Sequence, residues 1–307
     1  MILITGATGL SGSAVVREFA RQKKPVRALV RSRAKARAFD KFATVEIVEG
    51  DMLRPETLGA ALHDVDRVLM ISSARERLLE TQCTFIDASR KAGVRHIVKF
   101  SGKESGIGFN SQNFRSTRDH EEIERYLERS GVAWTHLRPS QFMQLYLPGM
   151  PTGVNLSENA LVLPMENAKL SPVDVEDIAK VVFALLHSEG HEASSYEMTG
   201  PEALTMADAP EKISQVIGTT IRYINVALEE KRQALLAAGL PPERADILDE
   251  LFRERRQCSE SKVYLGSHSA FGIHPTTFAQ FARRNAAEFC GESAMAAVGY
   301  AVPNAAK

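Results

Sequence analysis

The 307-residue sequence is poor in cysteine and carries no surplus of charge of either sign. Its three cysteines, Cys83, Cys258 and Cys290, have neither the number nor the spacing of a disulfide framework or a zinc site, and they suit a reducing compartment. The 38 basic residues are balanced by 38 acidic ones, so the chain lacks the basic excess of a dedicated nucleic-acid binder. We therefore expect no metal centre and no direct nucleic-acid partner.

Long hydrophobic runs are also absent. The most apolar predicted helix, around residues 181–186, is far too short to cross a bilayer, so we expect no membrane association. Residues 1–5 already have the pattern of a strand, which predicts that no signal peptide precedes the fold. Together these absences predict a cytoplasmic globular protein, and they leave its oligomeric state open.

Short apolar runs alternate with helical patterns through the first half of the chain. The runs are residues 2–5, 26–30, 44–48, 67–71, 96–101 and 134–137. Because nearly continuous apolar strands separated by helices form parallel sheets covered on both faces, the pattern predicts a doubly wound α/β Rossmann domain. Right-handed crossovers place the carboxyl ends of all these strands at one edge, where ligands bind.

The pattern changes near residue 150 and divides the chain into three parts. We expect residues 1–150 to form a ligand-binding Rossmann domain and residues 151–290 a smaller α/β lobe that binds substrate. The helix of residues 173–187, with Asp174 as its N-cap, and the strand of residues 195–199 are assigned to that lobe. The Ala- and Gly-rich tail, 291–307, is expected to be mobile.

A glycine-rich turn, Gly6-Ala-Thr8-Gly9-Leu10-Ser11-Gly12, joins the first strand to the first helix. A diphosphate needs backbone N–H groups directed at it and no Cβ in its path, and glycines at a strand-to-helix turn provide both. The spacing is G-x-x-G-x-x-G rather than G-x-G-x-x-G. It predicts a dinucleotide site, the alternative being a glycine-rich turn without a ligand.

The end of the second strand favours NADP(H) over NAD(H). NAD-binding proteins usually place an acid there to bind the ribose 2′-hydroxyl, whereas this chain has Arg31, Ser32 and Arg33. A guanidinium matches the geometry of a phosphate and can stack on adenine. The alternative is that both arginines are simply solvated.

Two further strand ends supply candidate cofactor contacts. Asp51 and Met52 follow the third strand, and the Asp51 carboxylate can accept a hydrogen bond from the adenine amino group or serve as a turn residue. Ser72 and Ser73 end the fourth strand, where they can line the cofactor's ribose or simply start a loop.

These motifs resemble the atypical NmrA-like branch of the short-chain dehydrogenase/reductase superfamily, in its azoreductase-like and quinone-oxidoreductase-like subgroup. The resemblance extends over about residues 1–289. Besides the glycine turn, it rests on Leu29-Val-Arg31, Gly50-Asp51, Asp66-Arg-Val-Leu, Ser130 to Pro139, Asp177-Ile-Ala and residues 271–281. It implies a Rossmann domain with a small lobe over the nicotinamide, and either reduction of quinones, azo dyes and similar acceptors or a sensing role.

The catalytic pattern of that superfamily is altered here. Most of its oxidoreductases carry Tyr-x-x-x-Lys on the helix after the fifth strand and a Ser at the strand's end. Ser101 matches the strand-end serine, but Ser116 replaces the Tyr and His120 replaces the Lys. We take Ser101, Ser116 and His120 as catalytic candidates, with His120 holding the nicotinamide ribose or acting as a local acid. The alternatives are an i,i+4 pair of His120 with Glu124 and a plain strand-end hydroxyl at Ser101.

The loop of residues 102–115 is long for a strand-to-helix connection and is a candidate lid over the acceptor. Within it, Phe109 is a candidate substrate contact. Lys103 is a candidate cofactor contact or a solvated side chain.

The segment after the sixth strand is the other candidate wall of the acceptor site. Pro139 opens it, and its backbone is expected to meet the nicotinamide carboxamide. Phe142, Met143 and Tyr146 can form a flat apolar surface for an aromatic acceptor, or they can pack the two lobes together.

Three functions fit this set of residues. The first is NADPH-dependent hydride transfer to a planar aromatic acceptor, a quinone or an azo compound, which needs mainly proximity and orientation. The second is a non-catalytic redox sensor that binds NADP(H) and acts on a protein partner. The third is reduction of a carbonyl or an activated alkene, with water or His120 as the proton donor.

Overall fold

A computed structural model describes residues 1–73, 77–108 and 112–292. The strands within these ranges are β1 (Ile2–Ile4), β2 (Val26–Val30), β3 (Val45–Glu49), β4 (Arg67–Met70), β5 (His96–Phe100), β6 (Ala133–Pro139), β7 (Ala160–Leu163), β8 (Lys169–Leu170), β9 (Ser194–Met198), β10 (Leu204–Thr205) and β11 (Arg222–Asn225). The α-helices are α1 (Leu10–Arg21), α2 (Gly59–Leu62), α3 (Leu78–Lys91), α4 (Arg115–Glu128), α5 (Val175–His187), α6 (Asp208–Ile217), α7 (Leu228–Ala237), α8 (Pro242–Arg255), α9 (Gly266–Ala270), α10 (Phe278–Arg284) and α11 (Ala286–Phe289).

Seven strands form the central sheet in the order β3-β2-β1-β4-β5-β6-β9, and every neighbouring pair is parallel. Helices α1 and α5 contribute to the apolar core on one side of the sheet, and α3 and α4 contribute to the core on the other. The predicted doubly wound α/β fold is confirmed. The strand order reverses between β1 and β4, and in such sheets this switch point opens the crevice in which ligands bind.

Two elements assigned to the smaller lobe lie in the Rossmann part of the molecule instead. The predicted N-cap of α5 is present, because the Asp174 side chain accepts a hydrogen bond from the Glu176 amide at 3.0 Å. However, Phe183 of α5 packs edge-on against Phe19 of α1, with ring centroids 5.0 Å apart, and β9 pairs with β6 as the edge strand of the sheet. After an excursion that includes β7 and β8, the chain therefore returns to complete the central sheet.

The smaller lobe has its own apolar core. Strand β11 pairs in parallel with β7, and β10 pairs antiparallel with β8. Helices α6, α7, α8, α10 and α11 contribute buried side chains to this core. Residues 293–307, most of the predicted mobile tail, lie outside the described residues.

No helix among the described residues is long and apolar enough to cross a membrane. Within the same ranges, no three His, Cys, Asp or Glu side chains are grouped as metal ligands.

Candidate functional site

The turn after β1 is fastened to the end of β4 by one hydroxyl group. The Thr5 Oγ1 donates to the Ile71 carbonyl oxygen at 2.7 Å and accepts from the Ile71 amide at 2.8 Å. Gly6 follows with a φ of +57°, and a Cβ at this position would lie 2.9 Å from the Ile71 oxygen. Glycine is therefore required where β1 and β4 end side by side, and Thr8 is half-buried in the same turn.

Gly9 and Gly12 hold the start of α1 close to that turn. The Gly9 amide donates to the Gly6 carbonyl at 2.9 Å, and a Cβ on Gly12 would collide with the same carbonyl oxygen. Gly9 is the N-cap of α1, and no side chain of the described residues caps the helix, which begins with Leu10 and Ser11. Uncapped amides at the positive end of a helix, with no Cβ over them, form a cradle that fits a diphosphate.

The loop after β2 places Arg31 at the ligand edge. Arg31 is exposed, and no described residue makes an ion pair or hydrogen bond with its side chain. In contrast, the Arg33 guanidinium lies 3.5 Å from the Asp40 carboxylate, and the backbone amide of Arg33 donates to the Glu49 carboxylate at 2.5 Å. Ser32 is half-buried between the two arginines. The structure thus leaves Arg31 available to a 2′-phosphate and occupies Arg33.

The side chains after β3 are mostly engaged within the protein. The Asp51 carboxylate accepts from the Leu53 amide at 3.0 Å, and the Asp51 amide donates to the Thr57 hydroxyl at 2.9 Å. This geometry favours the turn role for Asp51. Met52 is only 8% exposed and belongs to the core beneath the sheet.

The two serines after β4 differ in their surroundings. The Ser72 hydroxyl accepts from the side-chain amide of Gln82 at 2.9 Å, and Gln82 is fully buried on α3. Ser73 is exposed at the switch point. Ser72 is therefore held in place by the protein, and Ser73 is the freer of the two.

His120 is buried against the end of β5. Its Nδ1 lies 2.8 Å from the Nζ of Lys99, and a Cβ on Gly102 would collide with its Nε2. Burial and the neighbouring Lys99 charge hold the pKa of His120 well below its ordinary value, so the ring is neutral near pH 7. His120 thus hydrogen bonds from α4 to Lys99 of β5 rather than along its own helix to Glu124.

The two predicted catalytic serines flank this histidine. Ser101 is buried at the end of β5, where its hydroxyl accepts from the Lys103 amide at 3.3 Å and contributes to lowering the pKa of Glu124. Ser116 is half-buried one helical turn before His120 on α4. Ser101 and His120 are thus brought together where β5 ends.

A partly buried ion-pair network that the sequence analysis missed lies beside them. Arg138 on β6 donates to both oxygens of Glu124, at 3.1 and 2.7 Å, and to Glu197 on β9 at 3.3 Å. Burial pushes the pKa of Glu124 upward, but the hydrogen bonds from Arg138 and the influence of the nearby Ser101 hydroxyl outweigh it, and the net pKa is below its usual value. Glu124 is therefore a fixed anion. Lys99 was also missed, although a lysine in the apolar run of β5 was a readable signal.

The loop proposed as a lid is attached to the rest of the protein along its first half. Glu104 pairs with Arg255 of α8 at 2.7 Å, and the Gly106 carbonyl accepts from the Lys262 amide at 2.9 Å. Lys103, a candidate cofactor contact, lies 3.2 Å from Glu121. Phe109, the candidate substrate contact, lies outside the described residues.

The candidate apolar residues after β6 differ in their burial. Met143 and Tyr146 are each 1% exposed and belong to the core of the smaller lobe, which favours their packing role. Phe142 is half-buried, and its ring lies 6.1 Å from that of Phe100 at the end of β5. Pro139, the last residue of β6, is buried. Phe142 is thus the member of the group still open to an acceptor.

A family model described as the NmrA-like family matches residues 1–280 of the chain. The chain belongs to the NmrA-like family. It is 34% identical over 290 residues to an NAD(P)H azoreductase of Xenophilus azovorans, covering 94% of this chain and 99% of the relative.

Solved structures of two reductases have the same fold as this NmrA-like protein. The NADPH complex of quinone oxidoreductase QOR2 from Escherichia coli has a TM-score of 0.79 at 26% identity, over 92% of this chain and 99% of that one. A triphenylmethane reductase of Citrobacter sp. complexed with NADP(H) has a TM-score of 0.79 at 23% identity, over 93% and 100%.

Proposed function

We propose that this protein is an NADPH-dependent reductase that transfers hydride to a planar aromatic acceptor such as a quinone or an azo compound. The broader class, an NAD(P)H-dependent oxidoreductase, follows from family membership and from a 34% identical relative named as an azoreductase. The acceptor is the finer part of the proposal, and the following features of the chain support it.

The residues at the switch point fit NADP(H). Gly6 and Gly12 allow the close backbone approach that forms the turn, and Gly9 begins α1 without a side chain beside the helix amides. Arg31, directly after β2, has a guanidinium that no described residue engages. These groups would hold the diphosphate and the 2′-phosphate, respectively. When bound, the cofactor supplies the hydride.

The proton donor is weaker than in most short-chain reductases. The superfamily's Tyr is replaced by Ser116, and its Lys by the buried neutral His120. Reduction of a ketone develops charge on a single oxygen and needs a strong acid close by. Reduction of a quinone or azo bond gives a delocalised anion, for which a neutral imidazole N–H or water is a sufficient donor.

The observation that carries the proposal is the free Arg31 together with a glycine cradle beside an active-site helix without Tyr-x-x-x-Lys. The test is oxidation of NADPH by the purified protein, followed by the loss of NADPH absorbance. Quinones, azo dyes, simple ketones and activated alkenes are offered in turn as acceptors. Turnover of quinones or azo dyes but not ketones is expected. Tight NADPH binding with no turnover of any acceptor would instead support the sensor.

A further inference from the structure

Lys99 is a buried lysine whose nearest hydrogen-bonding partner is a histidine. It lies on β5, an inner strand of the sheet, with no exposed surface. Burying an ammonium group is costly unless it is paired, and the usual partner is a carboxylate. The adjacent carboxylate, Glu124, is already bound at both oxygens by Arg138. Among the described residues, the hydrogen bond of Lys99 goes instead to Nδ1 of His120, at 2.8 Å.

The chemistry of the two groups determines the tautomer of the ring. An ammonium group can only donate, so the nitrogen that faces it must be the acceptor. A neutral imidazole that accepts at Nδ1 carries its proton on Nε2. Nε2 is the ring atom that lies against Gly102, directly after Ser101 at the carboxyl end of β5. The N–H is therefore presented at the edge of the sheet where ligands bind.

We propose that Lys99 is a positioning residue that holds His120 in the tautomer with its proton on Nε2, ready to donate to the reduced acceptor. This inference rests on the proposed function, in which His120 is the proton donor. Nothing in the family resemblance assigns a role to a lysine on the fifth strand, since the superfamily's lysine lies on the following helix, at the position of His120.

The charged groups around Lys99 make the arrangement sensitive to pH. Glu124 of α4 and Cys83 of α3 favour its ammonium form, and Arg138 of β6 opposes it. His136, its register neighbour on β6, is a further titratable group that interacts with it. Burial, the largest influence, lowers the pKa of Lys99 to about 7. Above that pH a neutral amine can accept as well as donate, so the constraint on the tautomer of His120 is relaxed.

The direct test is nitrogen NMR of the full chain labelled at its histidines, with His120 assigned by comparison with His120→Phe. At pH 6 we expect the wild type to show His120 protonated on Nε2, and Lys99→Met to show a mixture of tautomers. Raising the pH of the wild type through about 7 should produce the same mixture without any substitution. A wild-type ring protonated on Nδ1 at pH 6, or identical tautomers in wild type and Lys99→Met, would overturn the proposal.

Kinetics provide the second readout. Lys99→Met should lower kcat for the acceptor about tenfold while leaving the KM for NADPH within about twofold. In a His120→Phe background, the same substitution should cause no further decrease in kcat. Lys91→Met, at the exposed end of α3, is the matched control and should leave kcat unchanged. Equal losses from Lys99→Met in both backgrounds would contradict a role through His120. If no acceptor is turned over at all, the proposed function fails, and the NMR experiment still tests the tautomer.

Discussion

Gly12, in the first turn of α1, lies against the carbonyl group of Gly6, so closely that a Cβ on Gly12 would collide with that oxygen. The contact fixes the helix start beneath the end of β1. Gly9 is less crowded, since a Cβ there would lie 3.2 Å from the Gly6 oxygen, and its φ of −80° is accessible to alanine. Packing therefore requires glycine at positions 6 and 12 of this turn, whereas position 9 is less constrained.

Gly9→Ala should preserve the fold and weaken cofactor binding. Gly9 is the N-cap of α1, so an added methyl group would stand beside the helix amides that we propose bind the diphosphate, and we expect the Kd for NADPH to rise about tenfold or more. Gly12→Ala should lower the melting temperature as well. Gly59→Ala on α2, where nothing lies within 4 Å of the added Cβ, is the control for both. Calorimetry and thermal melts separate the two effects, and an unchanged Kd in Gly9→Ala would argue against the cradle.

Arg31→Asp should exchange the cofactor preference. The unpaired guanidinium is lost and the new carboxylate repels a 2′-phosphate, so we expect the Kd for NADPH to rise about tenfold to a hundredfold with little change for NADH. Arg33→Ala should have a much smaller effect, because Arg33 already pairs with Asp40. Equal losses for both cofactors in Arg31→Asp would show that Arg31 is only a surface residue.

Met143→Ala should mainly lower stability, whereas Phe142→Ala should mainly weaken binding of the acceptor. Met143 is 1% exposed in the core, so its truncation is expected to cost about 2–5 kcal/mol of unfolding free energy. Phe142 is half-buried beside Phe100, and its truncation should mainly raise the KM for the acceptor. Urea unfolding and steady-state kinetics of both variants test this division. A Phe142→Ala variant with an unchanged KM would remove this residue from the acceptor site.

Lys99 makes stability depend on pH in a defined direction. Its folded pKa of about 7 lies below the ordinary value of 10.5, so between these limits the unfolded chain binds a proton that the folded chain does not. Wild-type stability from this group therefore increases as the pH rises, by at most about 1.4 kcal/mol per pH unit.

Lys99→Met removes this titration. Its stability relative to wild type should be most favourable at pH 6 and decline steadily toward pH 9, in urea unfolding followed at several pH values. Lys91→Met, at an exposed site, should show no such trend. A stability difference that does not vary with pH would mean that Lys99 keeps its ordinary pKa.

Local patterns were sufficient for the parts of the fold that depend on local chemistry. The apolar runs predicted β2 at Val26–Val30, and a strand-to-helix position identified the turn of Gly6 to Gly12. The strand β9 was predicted, but its assignment to the smaller lobe was wrong, because it pairs with β6 residues that lie 59 positions earlier in the chain and this pairing leaves no local sign.

In the candidate site too, local spacing did not predict which residues from other parts of the chain are in contact. His120 and Glu124 have the spacing of a helical pair, but Lys99 and Arg138 of neighbouring strands take their hydrogen bonds. Such tertiary partners cannot be read from the spacing of residues on a single helix. Likewise, the apolar character of Met143 fits a pocket wall and a core equally well, and only burial separates the two.

The central claim is that the Gly6–Gly12 turn binds the diphosphate of a nicotinamide cofactor, and isothermal titration of the purified chain with NADPH and NADH tests it most directly. The account predicts saturable binding of NADPH with a stoichiometry of one per chain, weaker binding of NADH, and a loss of NADPH affinity in Gly9→Ala. Absence of binding of both cofactors to a folded protein would contradict it.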